Sequence, residues 1–172
     1  MNGTIMRDTY SFVSFVTTDG SHYAIKIKTE NDNEEHNISD MGYGYSQVLP
    51  IIMSIWLEIM SEDNRSDEVI FVIEQPELHL HPAYQSKVAY LFAKVINAAK
   101  ESDKNVKFIF ETHSQSMIDA IGNCIQDKII DKEDVNIMIF EKCKEKGSTA
   151  FTANFDDEGY FTNWPVGFFS GE

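Results

Sequence analysis

One stretch limits what this chain can fold into more than any other: Glu68 to Pro82, Glu-Val-Ile-Phe-Val-Ile-Glu-Gln-Pro-Glu-Leu-His-Leu-His-Pro. Val69 to Ile73 is a short apolar run rich in β-branched and aromatic residues, which reads as a buried strand. It ends abruptly in Glu74, and a carboxylate at the C-terminal end of such a strand sits where open α/β sheets bind ligands. Pro76 has no N–H to donate and stops the ladder. Glu77, His79 and His81 follow at every second position, so an extended loop would aim all three to one side. Pro82 then opens a helix to about Lys100, with Val88, Leu91, Phe92, Val95 and Ile96 inward. Val106 to Phe110 repeats the pattern of a buried strand ending in polar residues, here Glu111, Thr112, His113 and Ser114. Strand, helix, strand implies a crossover with parallel strands, which delivers both polar tips to one edge of the sheet. Glu74 and His113 are therefore expected to be neighbours.

The flanks fit one domain over residues 1–172. Residues 1–37 read as a β-hairpin region: Tyr10 to Val16 and His22 to Lys28 are β-like, with Asp19-Gly20 between them as the turn signal. Glu30 to Asn37 reads as a solvated acidic loop. Gly42 to Gln47 is a glycine-containing loop that empties into an apolar helix carrying Val48, Ile52, Ile55 and Ile59 on one stripe. Pro50 is compatible only with the start of that helix. Unpaired N–H groups at such a helix start suit a phosphate, while the simpler reading is a plain turn with Ser46 as N-cap. Residues 38–145 would form the core. Met117 to Ile125 reads as a short helix, Asn136 to Phe140 as a third strand and Ala150 to Phe155 as a fourth. The tail from Phe161 to Phe169 carries Trp164, Pro165, Phe168 and Phe169, and with the fourth strand makes a C-terminal region, residues 146–172, that docks on the core.

Composition excludes several classes. The formal net charge of −14 argues against a broad nucleic-acid surface, since that affinity comes from Lys and Arg neutralising phosphates. Two cysteines, Cys124 and Cys143, make neither a disulfide framework nor a Cys-based zinc site, and suit a reduced cytoplasmic setting. There is no apolar signal segment near Met1, and Val48 to Met60 is too short to span a bilayer.

Together these motifs resemble a known family. Ile70 to Pro82 looks like the Walker B and D-loop of ABC-type ATPases of the SMC, RecF and OLD-like branch. Phe108 to Ser114 resembles their switch-histidine loop, and Ser39 to Pro50 resembles the signature motif of one AAA-type subfamily. Trp164 to Phe169 looks like that subfamily's C-terminal tail, which carries a domain of unknown function. The resemblance implies an α/β fold with a parallel-strand, P-loop NTPase-like core, and it assigns roles. Glu74 would hold Mg²⁺ through water. Gln75 stands where many relatives place the catalytic glutamate, a departure that puts efficient hydrolysis in doubt although a glutamine orients water. Glu77 would supply the missing carboxylate, and His113 would contact the γ-phosphate. Ser39, Gly42, Gly44, Ser46 and Gln47 would meet ATP held by a second subunit, with His79 and His81 on the D-loop at the dimer interface.

No Gly-x-x-x-x-Gly-Lys-Ser/Thr occurs in the 172 residues, and that loop is what cradles the triphosphate. The chain is thus expected to be the C-terminal half of an ATPase, needing a P-loop half to bind ATP and Mg²⁺, and forming a homo- or hetero-dimer. By analogy with relatives, DNA repair or antiviral defence with a nuclease or other effector would be its setting. Two other readings compete. Glu77, His79 and His81, with Glu74 and His113, would make a Zn²⁺ or Mn²⁺ hydrolase site. Alternatively, a degenerate ATPase fold would act as a binding module without catalysis.

Overall fold

The computed structural model describes residues 11–18, 22–29, 34–40, 42–60, 68–143, 147–165 and 169. The chain forms two compact units, Met1–Trp56 and Leu57–Glu172.

In the first unit, β1 (Ser11–Thr18) and β2 (His22–Thr29) pair antiparallel with Ser11 opposite Thr29 and Thr18 opposite His22. This is the expected hairpin, and its Asp19-Gly20 turn lies outside the described residues. The acidic loop differs from expectation at its end: His36–Asn37 forms a third strand, β3, on β2. Beside it, Lys26 Nζ lies 3.9 Å from Glu35 Oε2. A 3-10 turn, Ile38–Asp40, leads to Gly42, whose φ of +90° carries the backbone through a region closed to most side chains. Helix α1 then runs from Tyr43 to Met60. It begins earlier than the sequence implies, so Gly44, Ser46 and Gln47 lie in its first turns, not in a loop, and Ser46 Oγ donates to Tyr43 O at 2.8 Å. Pro50 sits inside the helix, where its ring removes the hydrogen bond to the Ser46 carbonyl.

The second unit holds the strand–helix–strand. β4 (Glu68–Glu74) and β5 (Asn105–Glu111) are parallel and in register, Phe71 opposite Phe108 and Glu74 opposite Glu111. Helix α2 (Pro82–Glu101) connects them and packs on β5 and on α3 (Gln115–Gln126). Phe92 of α2 stacks on Phe108 at 4.4 Å, and Phe108 stacks on Phe71 at 5.1 Å. Val88, Ala89, Ala93, Met117, Ile121 and Cys124 complete this core. The strands were expected to be buried on both faces. Instead burial alternates: Ile70, Val72 and Ile109 are 50%, 74% and 59% exposed, because α2 covers the phenylalanine face alone.

Beyond α3, β6 (Ile137–Cys143) and β7 (Gly147–Ala153) form an antiparallel hairpin. Both strands are displaced by a few residues from the expected spans, since pairing extends through the charged segment at Lys142. The tail makes a run of ring contacts: Phe155 stacks on Phe161 at 4.6 Å, Phe161 meets Trp164 tilted at 4.3 Å, and Trp164 stacks on Phe169 at 5.2 Å. Phe155 is buried at one end of this run, and Phe168 lies outside the described residues. No helix among the described residues is long and apolar enough to cross a membrane.

Candidate functional site

The parallel register brings the two polar strand tips together. Glu74 and Glu111 are side by side and exposed at the C-terminal ends of β4 and β5. Adjacent strands lie about 4.8 Å apart, so the two carboxylates share one patch of solvent. The ladder continues one residue further, since Gln75 N donates to Glu111 O at 3.0 Å. Gln75 then takes a φ of +43°, in the left-handed region that a non-glycine residue seldom visits. This turns the chain sharply. Leu78 N donates to Gln75 O and Leu80 N to Glu77 O, each at 3.0 Å, and His79 is again left-handed at +61°.

That turn overrides the expected alternation of Glu77, His79 and His81. Period-two aiming needs extended backbone, and two left-handed residues destroy it. Glu77 points inward and is only 6% exposed, beside the fully buried Pro76. His79 is exposed. His81 is exposed too and caps α2, its Nδ1 accepting from Ala83 N at 3.3 Å, with Pro82 as the first helical residue.

Glu77 reaches across to the loop after β5. Its Oε1 accepts from Thr112 Oγ1 at 2.7 Å and from His113 N at 3.0 Å. Its Oε2 is buried with no hydrogen-bond partner among the described residues. Thr112 Oγ1 also accepts from Ser114 N at 3.0 Å. Ser114 caps α3 by accepting from Met117 N at 3.1 Å, and it donates to Gln85 Oε1 at 2.6 Å. Gln85 Nε2 in turn donates to Leu80 O at 2.9 Å. The two loops are therefore cross-braced twice, through Glu77 and through Ser114–Gln85. His113 itself projects outward, 69% exposed, with Nε2 3.5 Å from Glu111 Oε1. A pair so exposed adds little stability.

Glu74, Gln75, Glu77 and His113 thus lie at or just beyond the C-terminal ends of β4 and β5, where the residue directly beside Glu74 is Glu111. Ser39, Gly42, Gly44, Ser46 and Gln47 belong to the other unit, around the start of α1. Sequence reasoning missed Gln85, Thr112 and Glu111 as site residues. Glu111 was readable from the same strand-end position as Glu74; nothing in the spacing marks Gln85. Among the described residues, no three His, Cys, Asp or Glu side chains are grouped so as to hold a metal ion. The burial of Glu77 and the outward course of His79 are the reason the His/Glu hydrolase site does not assemble. Glu74 and Glu111 nevertheless suit Mg²⁺, which takes one or two carboxylates and completes its shell with water and substrate phosphates.

A family model described as the AAA ATPase domain matches residues 4–118. No curated protein matches the chain. Among solved structures, the chain is similar to one described as "Structural biochemistry of ATP-driven dimerization and DNA stimulated activation of SMC ATPases". The TM-score is 0.54 at 14% identity, covering 83% of this chain and 73% of that one, a likeness of fold.

Proposed function

The chain belongs to the AAA ATPase domain family, and from that premise we propose that it supplies the Walker B, D-loop, switch-histidine and signature elements of an ATP–Mg²⁺ site whose phosphate cradle comes from a P-loop half. The observation that carries this reading is the register of β4 and β5, which sets Glu74 beside Glu111 and puts His113 on the same edge. In hydrolysis a water oxygen bonds to the γ-phosphorus, the bond to the β,γ-bridging oxygen breaks, and ADP leaves. Catalysis of such a transfer is mostly positioning and charge stabilisation. Glu74 would hold Mg²⁺ through water, and the ion would offset the phosphate charge. Gln75 follows directly and would orient the attacking water by its side-chain amide. His113, free of the core, would reach the γ-phosphate. His79 and Leu78, exposed on the turn, would face a second subunit. Ser39, Gly42, Gly44, Ser46 and Gln47 would meet that subunit's nucleotide, and dimer closure on ATP would be the output. ATP-driven dimerisation is what the similar SMC structure describes.

The test is to mix the purified chain with a polypeptide from the same genome that carries Gly-x-x-x-x-Gly-Lys-Ser/Thr. Mg²⁺-dependent ATP turnover and an ATP-dependent increase in mass should appear on mixing, and Glu74→Gln should remove the turnover. Pairs that neither bind ATP nor associate would defeat the proposal. A second reading, a binding module without hydrolysis, is favoured by the amide at Gln75. It requires Glu74→Gln to leave the biological activity intact, so loss of activity in that variant excludes it.

A further inference from the structure

We propose that Glu77 is a positioning residue for the switch histidine: its Oε1 fixes the His113 backbone from the loop after β4, and it does not itself activate water. The inference rests on the ATPase reading for its consequence, but its geometric content stands alone. Glu77 is buried, and its one engaged oxygen takes both the Thr112 hydroxyl and the His113 N–H. A carboxylate so buried, with Oε1 already committed to two donors, is set up to hold the loop in place. His113, by contrast, has an exposed imidazole that the core does not hold. Its position therefore follows from its backbone, and the backbone is held by Glu77. Charge-assisted hydrogen bonds of this kind are stronger than neutral ones, and one acceptor serving two donors fixes both. The brace is seated on the turn whose exposed tip is Leu78–His79. A contact made at that tip would be felt at His113 through a single side chain.

Among the described residues Glu77 is engaged through Oε1, so glutamine at position 77 keeps an acceptor while losing the carboxylate, and alanine loses both. This separates a brace from a general base. The first measurement is NMR of the full chain, following the His113 amide. In Glu77→Gln the amide proton should move upfield, because its acceptor becomes neutral, and should stay protected from exchange. In Glu77→Ala the Thr112–Ser114 amides should lose protection at least tenfold while those of β4 and α2 keep theirs. If Glu77→Ala fails to fold, the upfield movement in Glu77→Gln decides, and a His113 amide that does not move overturns the proposal. The second measurement is ATP turnover after mixing with the P-loop polypeptide. Glu77→Gln should retain turnover within about threefold while Glu77→Ala lowers kcat by tenfold or more. A Glu77→Gln variant with normal amide protection and turnover down a hundredfold would show Glu77 to be a base and overturn the brace. Absence of turnover in the unsubstituted pair would instead count against the ATPase reading, leaving the amide measurements to decide the brace.

Discussion

Replacing Gly122 by alanine tests how α3 packs on the turn at Gly159. Gly122 lies within α3, where alanine ordinarily stabilises by about 0.5–1 kcal/mol because it loses less backbone freedom. Here a Cβ would stand 2.5 Å from Gly159 O and 3.2 Å from Phe155 Cε1. The obstacle is backbone, not a side-chain tip that swings away. Its turn is tied down by Asp156, whose Oδ1 accepts from Glu158 N at 3.0 Å and Tyr160 N at 2.8 Å, while Asp156 N donates to Tyr160 O at 2.8 Å. Phe155 is itself held by its stack on Phe161. Overpacking of this kind costs about 1–3 kcal/mol, and a fixed neighbour favours the upper half of that range. The propensity gain is then outweighed, and the net loss is about 1–2 kcal/mol, or roughly 2–8 °C in Tm for a chain of this size. Urea unfolding followed by far-UV circular dichroism reads the change directly. Gly147→Ala is the control: it has a φ of +75° but nothing within 4 Å of a new Cβ, so it reports the backbone strain alone, about 1 kcal/mol before partial offset from the unfolded chain. The sign is the decisive result. A Gly122→Ala chain more stable than the unsubstituted one would mean that α3 does not rest on the turn at Gly159.

Ser114→Ala removes both the cap of α3 and the bond to Gln85, and should lower stability by about 1–2 kcal/mol with an unchanged denaturant slope; a loss under 0.3 kcal/mol would show that neither bond matters. Pro50→Ala restores a helix hydrogen bond to Ser46 O at an exposed position inside α1, and should raise stability by about 1–3 kcal/mol in the same assay; earlier unfolding would refute this. Burial, with Asp127 adding and Lys94 opposing, pushes the Cys124 thiol up to about 11 from its ordinary 9.0. The stability this gives is fully present below about pH 9 and is lost as pH rises through about 11. At pH 8 Cys124 should therefore resist iodoacetamide in the folded chain and react only after urea is added, as peptide mapping would read; prompt labelling of the folded chain would contradict its full burial.

Local chemistry was legible in the sequence. The apolar runs before Glu74 and Glu111 gave the parallel strands, Pro82 gave the start of α2, and the Asp19-Gly20 signal gave the pairing of β1 with β2, because each depends on residues that are neighbours along the chain. Glu74 and His113 were brought to one edge by connectivity alone, which the strand–helix–strand order dictates. The direction of Glu77 was not legible. It depends on left-handed backbone at Gln75 and His79, which no residue type there announces, since neither is glycine. Its partners, Thr112 and the His113 N–H, are 35 and 36 residues away and meet it only once β4 and β5 pair in register. Gln85 on Ser114, and Gly122 against Gly159, are likewise meetings of residues from different elements. The one-sided cover of the sheet was hidden for the same reason: an apolar run shows that a strand can be buried, whereas which face a helix covers is decided only when the helix packs. The sequence by itself thus determined the strand–helix–strand unit and the edge to which its polar strand ends are delivered; the tertiary structure alone decided which carboxylate faces solvent and which is turned inward, because side-chain direction follows backbone dihedrals and packing, not residue type.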